Sequence, residues 1–232
     1  MSEAGSRIAL VAGGSGLVGS RLLRVLADAP EYGRVLALSR RPLSFEHPRL
    51  ANRVTRFESL EQDLRGLKCD DAYCCLGTTL RAAGSEAAFR AVDHDLVLAF
   101  ARLARQAGAQ RFVLVSSVGA DPAARFLYLR VKGATEKDLE ALRFAALDLM
   151  QPGLLLGARR EFRLAEALAG LAAPLLNPLL VGRLAAWRAL DAAELAQAML
   201  AVTRRGLRGV RRYGSVEIAR LARAPAAARA QL

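Results

Sequence analysis

The chain has 232 residues, of which 53% are hydrophobic, 24% charged and 6% aromatic. That length fits one domain with at most a small appendage, and the composition excludes disordered and collagen-like chains. The net charge is +12, but only three of the 34 basic residues are lysine (Lys68, Lys132 and Lys137), so the excess reads as an arginine-rich solvated surface and no nucleic-acid partner is expected. The three cysteines, Cys69, Cys74 and Cys75, have the spacing of neither a disulfide framework nor, with His47 or His94, a zinc site, and no metal is expected. The longest uncharged run, between Glu166 and Arg183, is interrupted by Pro174, Asn177 and Pro178 and is too short for a membrane span. Together these features point to a soluble cytoplasmic protein.

In chain order, Ile8 to Ala12 is an apolar run that ends in glycines, the pattern of a buried strand. Leu17, Val18, Leu22, Leu23, Val25 and Leu26 then recur at helical spacing until Pro30 and Gly33. Further strands are expected over 34–39, 54–57 (weaker), 71–76, 111–117 and 147–156. Phe89, Val92, Leu96, Phe100, Leu103 and Ala107 step by three or four residues and define a long amphipathic helix that stops at Gly108. Another helix is expected from Phe126 to Leu142. Such alternation predicts an α/β protein, a doubly wound parallel sheet covered on both faces. Residues 1–153 form that domain in this reading. From Leu154 onward Leu, Ala and Pro dominate, and residues 154–232 are expected to form a small, mainly helical substrate lobe and tail.

The first strand runs into Gly13-Gly14-Ser15-Gly16-Leu17-Val18-Gly19. The phased glycines are Gly13, Gly16 and Gly19: one turns sharply out of the strand, one lets a pyrophosphate approach the backbone, and one permits close helix–strand packing. The following helix offers unpaired N–H groups and its positive end to the phosphates, so Ser15, Leu17 and Val18 join the glycines as candidate cofactor contacts. At the end of the second strand stands Ser39-Arg40-Arg41, with no carboxylate until Glu46. A carboxylate there would suit the ribose hydroxyls of NAD, whereas two guanidiniums suit a 2′-phosphate, so the expected cofactor is NADP(H). Glu58, after the third strand, is expected to border the adenine.

Tyr128 and Lys132 form Y-x-x-x-K on a predicted helix, one turn apart and on one face. An ammonium beside a phenol favours the phenolate and lets it act as acid or base near neutral pH. Ser116 and Ser117 end the fifth strand, where open α/β sheets place their ligands. A hydroxyl there can stabilise a developing alkoxide; Ser117 is the preferred candidate and Ser116 the alternative. Cys74 and Cys75 read as core residues, and His94, between Asp93 and Asp95, as part of a solvated helix face.

The ordered set AGGSGLVG, SRR, CCLGTT, VLVSS, YLRVK and QPG resembles the short-chain dehydrogenase/reductase superfamily, in its extended or atypical branch. More narrowly, CCLGTT (74–79), GAD (119–121), FLYLRVKG (126–133) and PGLLLG followed by Arg159, Arg160 and Glu161 resemble the Tat-interacting-protein oxidoreductase-like family. The resemblance implies a Rossmann fold, NADPH binding, and Ser, Tyr and Lys in the usual roles. It implies that Leu76, Gly77 and Thr78 pass near the cofactor ribose, and Pro152, Gly153 and Leu154 near the nicotinamide amide. Asp93 stands where related enzymes often carry an asparagine, and Gln151 where many have arginine. Two functions follow. One is an NADPH-dependent reductase or dehydrogenase of a small carbonyl, its pocket walled by Leu154 to Leu156 and the stretch Leu171 to Val181. The other, suggested by the regulatory role of eukaryotic relatives, is a non-catalytic NADPH-sensing protein; a protein partner or a homodimer is compatible with both.

Overall fold

The computed structural model describes residues 7–55, 66–156 and 188–224. In chain order the elements are β1 (Arg7–Ala12), α1 (Leu17–Asp28), β2 (Tyr32–Ser39), β3 (Leu50–Val54), β4 (Asp71–Cys74), α2 (Leu80–Ala83) and α3 (Glu86–Arg90). A π-helical turn (Ala91–Asp95) follows, then α4 (Leu96–Gln106), β5 (Arg111–Val115), α5 (Leu127–Glu140), β6 (Ala146–Gln151) and the two-residue strands β7 (Leu155–Leu156) and β8 (Leu190–Asp191). The last elements are α6 (Ala192–Arg204), β9 (Gly209–Gly214) and α7 (Ser215–Arg223). Seven strands make one parallel sheet in the order β3-β2-β1-β4-β5-β6-β9, and β7 pairs with β8 beside it.

Both faces of the sheet are covered, which is why its central strands read as unbroken apolar runs. Ala9 and Val11 of β1 point to one layer, where Leu22, Leu23 and Leu26 of α1 meet Leu195, Met199 and Val202 of α6 and Ile218 and Leu221 of α7. Leu10 and Ala12 point to the other, with Val97, Phe100 and Ala104 of α4 and Leu139 of α5. There the Phe100, Phe112 and Phe144 rings pack in sequence at tilted angles, with centroids 5.8 and 5.1 Å apart. The chain leaves β1 toward β2 on one side and enters β4 on the other, so a crevice opens at the carboxyl ends of β1 and β4.

The doubly wound α/β fold is as expected, with three differences. The third strand spans Leu50–Val54 and so begins before the expected 54–57, of which residues 56 and 57 lie outside the described residues. Its sequence, LANRV, is half-buried to exposed and forms an edge strand through backbone pairing from Val35↔Leu50 to Ser39↔Val54, so hydrophobicity does not mark it. The long helix over 86–106 contains the π turn, which swings Asp93 and His94 inward. Most importantly, residues 190–224, assigned from sequence to a separate lobe, complete the main domain: α6 and α7 pack into the core and β9 adds a seventh strand. β9 reads GVRRYG, and its first four residues are exposed; an edge strand that buries little carries no apolar signature. Glu58 and the stretch Leu171 to Val181 lie outside the described residues. Among the described residues no helix is long and apolar enough to cross a membrane, and no three metal-ligating side chains converge.

Candidate nucleotide-binding and active site

Gly13 leaves β1 with φ +81°, a left-handed conformation, and a Cβ there would lie 2.5 Å from the Cys75 carbonyl carbon. A Cβ on Gly19, in the first turn of α1, would lie 2.1 Å from the Gly13 carbonyl oxygen. These two glycines are therefore dictated by the tight loop itself. Gly16 is the N-cap of α1 and its N–H donates to the Gly13 carbonyl at 3.0 Å. Among the described residues no side chain caps this helix, and no acidic residue sits in its first turn, so its positive end is available to an anion.

Two adjoining cavities meet over this loop, sharing Ser15, Gly16, Cys75, Leu76, Gly77 and Thr78. One, of about 520 Å³, extends past Leu38, Ser39, Arg40 and Thr55. The other, of about 720 Å³, includes Leu17, Val18 and Arg21 and reaches Asp93, Val115, Ser116, Tyr128, Lys132 and Leu155. A two-chambered crevice, pinched over a glycine loop at a helix N-terminus, fits a dinucleotide.

The end of β2 is built by a residue the sequence reading missed. Asn52 Nδ2 on β3 donates to Ser39 Oγ at 2.7 Å and to the Ala37 carbonyl at 3.2 Å, while Asn52 Oδ1 accepts from Leu43 N–H at 3.0 Å. Ser39 Oγ in turn donates to the Arg41 carbonyl at 2.7 Å. The only signal was a polar side chain in a strand without a hydrophobic pattern. The turn so fixed puts Arg40 on the cavity wall, leaves Arg41 exposed, and brings no acidic side chain among the described lining residues of this chamber.

Tyr128 and Lys132 sit on the first turns of α5 and both line the larger chamber. The Tyr128 ring packs against Phe89, centroids 5.8 Å apart. Lys132 is only 4% exposed, and its Nζ lies 2.8 Å from Asp93 Oδ1. Burial by itself would lower the lysine's affinity for its proton, but the Asp93 carboxylate, with Tyr128 assisting, raises it above the ordinary lysine value. Gly133 completes the pattern. A Cβ there would lie 2.2 Å from the Asp121 carbonyl carbon, so this glycine lets the GAD segment lie against α5.

The two serines divide their roles. Ser116 is buried and donates to Glu136, which also accepts from Gln151 Nε2 at 2.9 and 3.0 Å and from Arg212 Nε at 3.2 Å. Ser117 is half-buried, and its Oγ donates to the Val118 carbonyl at 3.3 Å; Ser116, not Ser117, is among the described residues that line the chamber. Pro152 and Gly153 follow β6, with Gly153 N–H held by Ser215 Oγ at 2.8 Å. Leu155 lines the chamber, whereas Leu154 is exposed.

Cys74 is core, its thiol pushed up by burial to about 12. Cys75 is partly buried, its thiol also raised by burial, and it contributes to the walls of both chambers. His94 departs from the solvated face expected of it: it is buried, with Nδ1 2.7 Å from Asp95 and Nε2 2.9 Å from Asp138, clamping the π turn to α5.

Known proteins share sequence and fold with this chain. The chain is 40% identical to Protein HTATIP2 of Rattus norvegicus over 163 residues, covering 68% of this chain and 67% of that one. It is 33% identical over 225 residues to Protein FMP52, mitochondrial, of Coccidioides immitis, covering 91% and 92% of the two chains. Among solved structures it superposes on a UDP-galactose 4-epimerase with TM-score 0.66 at 18% identity, covering 90% of this chain and 78% of that one. MoeE5 in complex with UDP-glucose and NAD superposes with TM-score 0.63 at 16% identity, covering 89% and 75%. The fungal relatives, including that of Saccharomyces cerevisiae, are mitochondrial proteins, which overturns the cytoplasmic expectation. Cysteine usage reports a reducing environment, not which compartment supplies it. The profile of the NAD dependent epimerase/dehydratase family matches residues 9–213, and the chain belongs to that family.

Proposed function

We propose that the protein is an NADP(H)-dependent oxidoreductase of the short-chain dehydrogenase/reductase type that reduces a small carbonyl compound, with Tyr128 as proton donor. The observation that carries this reading is the continuous crevice in which the glycine loop, Lys132 and Tyr128 meet. The Gly13–Gly19 loop and the N–H groups opening α1 hold the pyrophosphate. Arg40, on the wall, and Arg41, beside it, pair with the 2′-phosphate. Leu76, Gly77 and Thr78 border the ribose, Lys132 orients it, and Pro152, Gly153 and Leu154 flank the nicotinamide end. When bound, the cofactor supplies hydride.

The protein's own task is to handle the oxygen. Tyr128 O–H transfers its proton to the substrate oxygen as that oxygen gains negative charge. Ser117 donates a hydrogen bond to the same atom by giving up its long 3.3 Å bond to the Val118 carbonyl; Ser116, although on the wall, has its proton committed to the Glu136 carboxylate. Leu17, Val115 and Leu155 give the described wall an apolar side suited to a hydrophobic aldehyde or ketone.

Calorimetric titration should show tighter binding of NADPH than of NADH, and Arg40→Ala with Arg41→Ala should remove that preference. Equal affinities in the parent protein overturn the NADP assignment. On a carbonyl identified by panel screening, Tyr128→Phe should cut kcat by roughly 10²- to 10⁴-fold with cofactor affinity nearly intact. Full activity in that variant overturns the assignment of Tyr128. Intact NADPH binding with no turnover across the panel favours the sensing role.

A further inference from the structure

Asp93 is where the geometry says more than the proposed reaction requires. The π turn inserts an extra residue into the helix over 86–106 and brings Asp93 to 1% exposure; such turns recur at functional sites. Its Oδ2 accepts the Thr78 backbone N–H at 2.8 Å, and its Oδ1 lies 2.8 Å from Lys132 Nζ. The backbone is held as well, because Thr135 Oγ1 on α5 lies 3.0 Å from the Asp93 carbonyl oxygen. A Cβ on Gly77 would come within 3.3 Å of Asp93 Oδ1 and 3.7 Å of Lys132 Nζ, so the cofactor-side loop runs directly over the pair.

We infer that Asp93 is a positioning residue: with one oxygen it keeps Lys132 as a fixed ammonium, and with the other it holds the Thr78 loop, tying the helix of Tyr128 and Lys132 to the wall of the nucleotide chamber. This rests on the reading of Lys132 as the group that orients the cofactor. The neighbouring groups leave that work to Asp93. Cys74, on β4, is neutral at physiological pH because burial pushes its thiol to about 12. Glu136, one turn beyond Lys132, is bonded to Ser116, Gln151 and Arg212. His94 and Asp95 face one another and Asp138. Tyr128, on α5, Arg21, from α1, and Cys75, kept a neutral thiol by burial, are the other titratable groups among the described residues of this wall. Among the described residues, Asp93 is the acid ion-paired with Lys132.

A buried ammonium without a counter-charge gives up its proton more readily. Asp93→Asn keeps the shape and the acceptor for Thr78 but removes the charge. With three lysines in the chain, carbon-13 labelling of lysine Cε gives three side-chain resonances, and Lys132→Met assigns the one of interest. In the wild-type protein the Lys132 resonance should titrate above pH 10.5. In Asp93→Asn it should titrate earlier by roughly one pH unit or more, and Asp93→Glu should move it back. An unchanged Lys132 titration in a folded Asp93→Asn protein overturns the inference. NADPH titration of the same samples separates the two levels: failure to bind in every sample, wild type included, removes the cofactor reading, while the lysine resonance still decides what Asp93 does.

Discussion

Ion pairs with buried carboxylates stand at both ends of the sheet, and their surroundings differ. Toward the amino end, Arg7 pairs with Asp71 and Arg111 with Asp148, and protein encloses both carboxylates. Tyr32 O–H donates to Asp71 at 2.7 Å; its own proton being used, it accepts from Tyr73 O–H at 2.8 Å, and Tyr73 meets Thr203 Oγ1 at 2.8 Å. Asp148 also accepts from Tyr213 O–H at 3.1 Å, and Arg111 donates to the Leu207 carbonyl at 2.7 Å. At the carboxyl end, the Lys132–Asp93 pair borders a chamber of about 720 Å³. Closed networks of this kind fix the register of β1, β4, β5 and β6, whereas an open pair leaves donors and charge to be used by a ligand.

The largest effect is expected at the closed end. Arg111→Met should destabilise the fold by about 3–5 kcal/mol at neutral pH, because it leaves Asp148 buried without its cation; it should leave NADPH affinity unchanged. Thermal or denaturant unfolding beside a cofactor titration checks both. The loss has a definite pH sign. Burial already raises the Asp148 carboxyl against the pull of Arg111. A carboxyl raised in the fold holds its proton more tightly there than in the unfolded chain. Its contribution to stability is thus complete below the ordinary value of 3.8 and is lost as pH rises through the folded value. Removing Arg111 raises that value further, so the deficit should be smallest in acid and grow toward neutrality. A deficit that shrinks with rising pH would contradict the enclosed-carboxylate account.

A smaller effect is expected within the hydroxyl chain. Thr203→Val removes the end of the hydroxyl chain but leaves Tyr73 its bond to Tyr32, and should cost about 1 kcal/mol in equilibrium unfolding. The smallest concerns the exposed Arg223–Glu194 pair at 2.9 Å. Glu194→Ala should change stability by less than about 0.5 kcal/mol, with the difference vanishing in high salt.

The sequence alone determined the parts of this protein that repeat a local rule. β1, the glycine loop and α1 were legible because a doubly covered strand is continuously apolar and because Gly13 and Gly19 admit no Cβ at contacts only a few residues or one strand away. Tyr128 and Lys132 were legible because four residues in a helix place two side chains on one face. Tertiary structure decided the rest. Edge strands β3 and β9 bury too little to leave an apolar pattern, so their existence depends on a neighbour offering backbone groups. Asn52 and Glu136 act through partners on other elements, which no spacing within the chain foretells. Asp93 and His94 are adjacent on a helix that reads as half solvated; the π turn buries both, sending one to Lys132 and the larger chamber and the other to Asp95 and Asp138. A charge's meaning depends on what is folded against it, and for Asp93 that is a lysine 39 positions away in the chain.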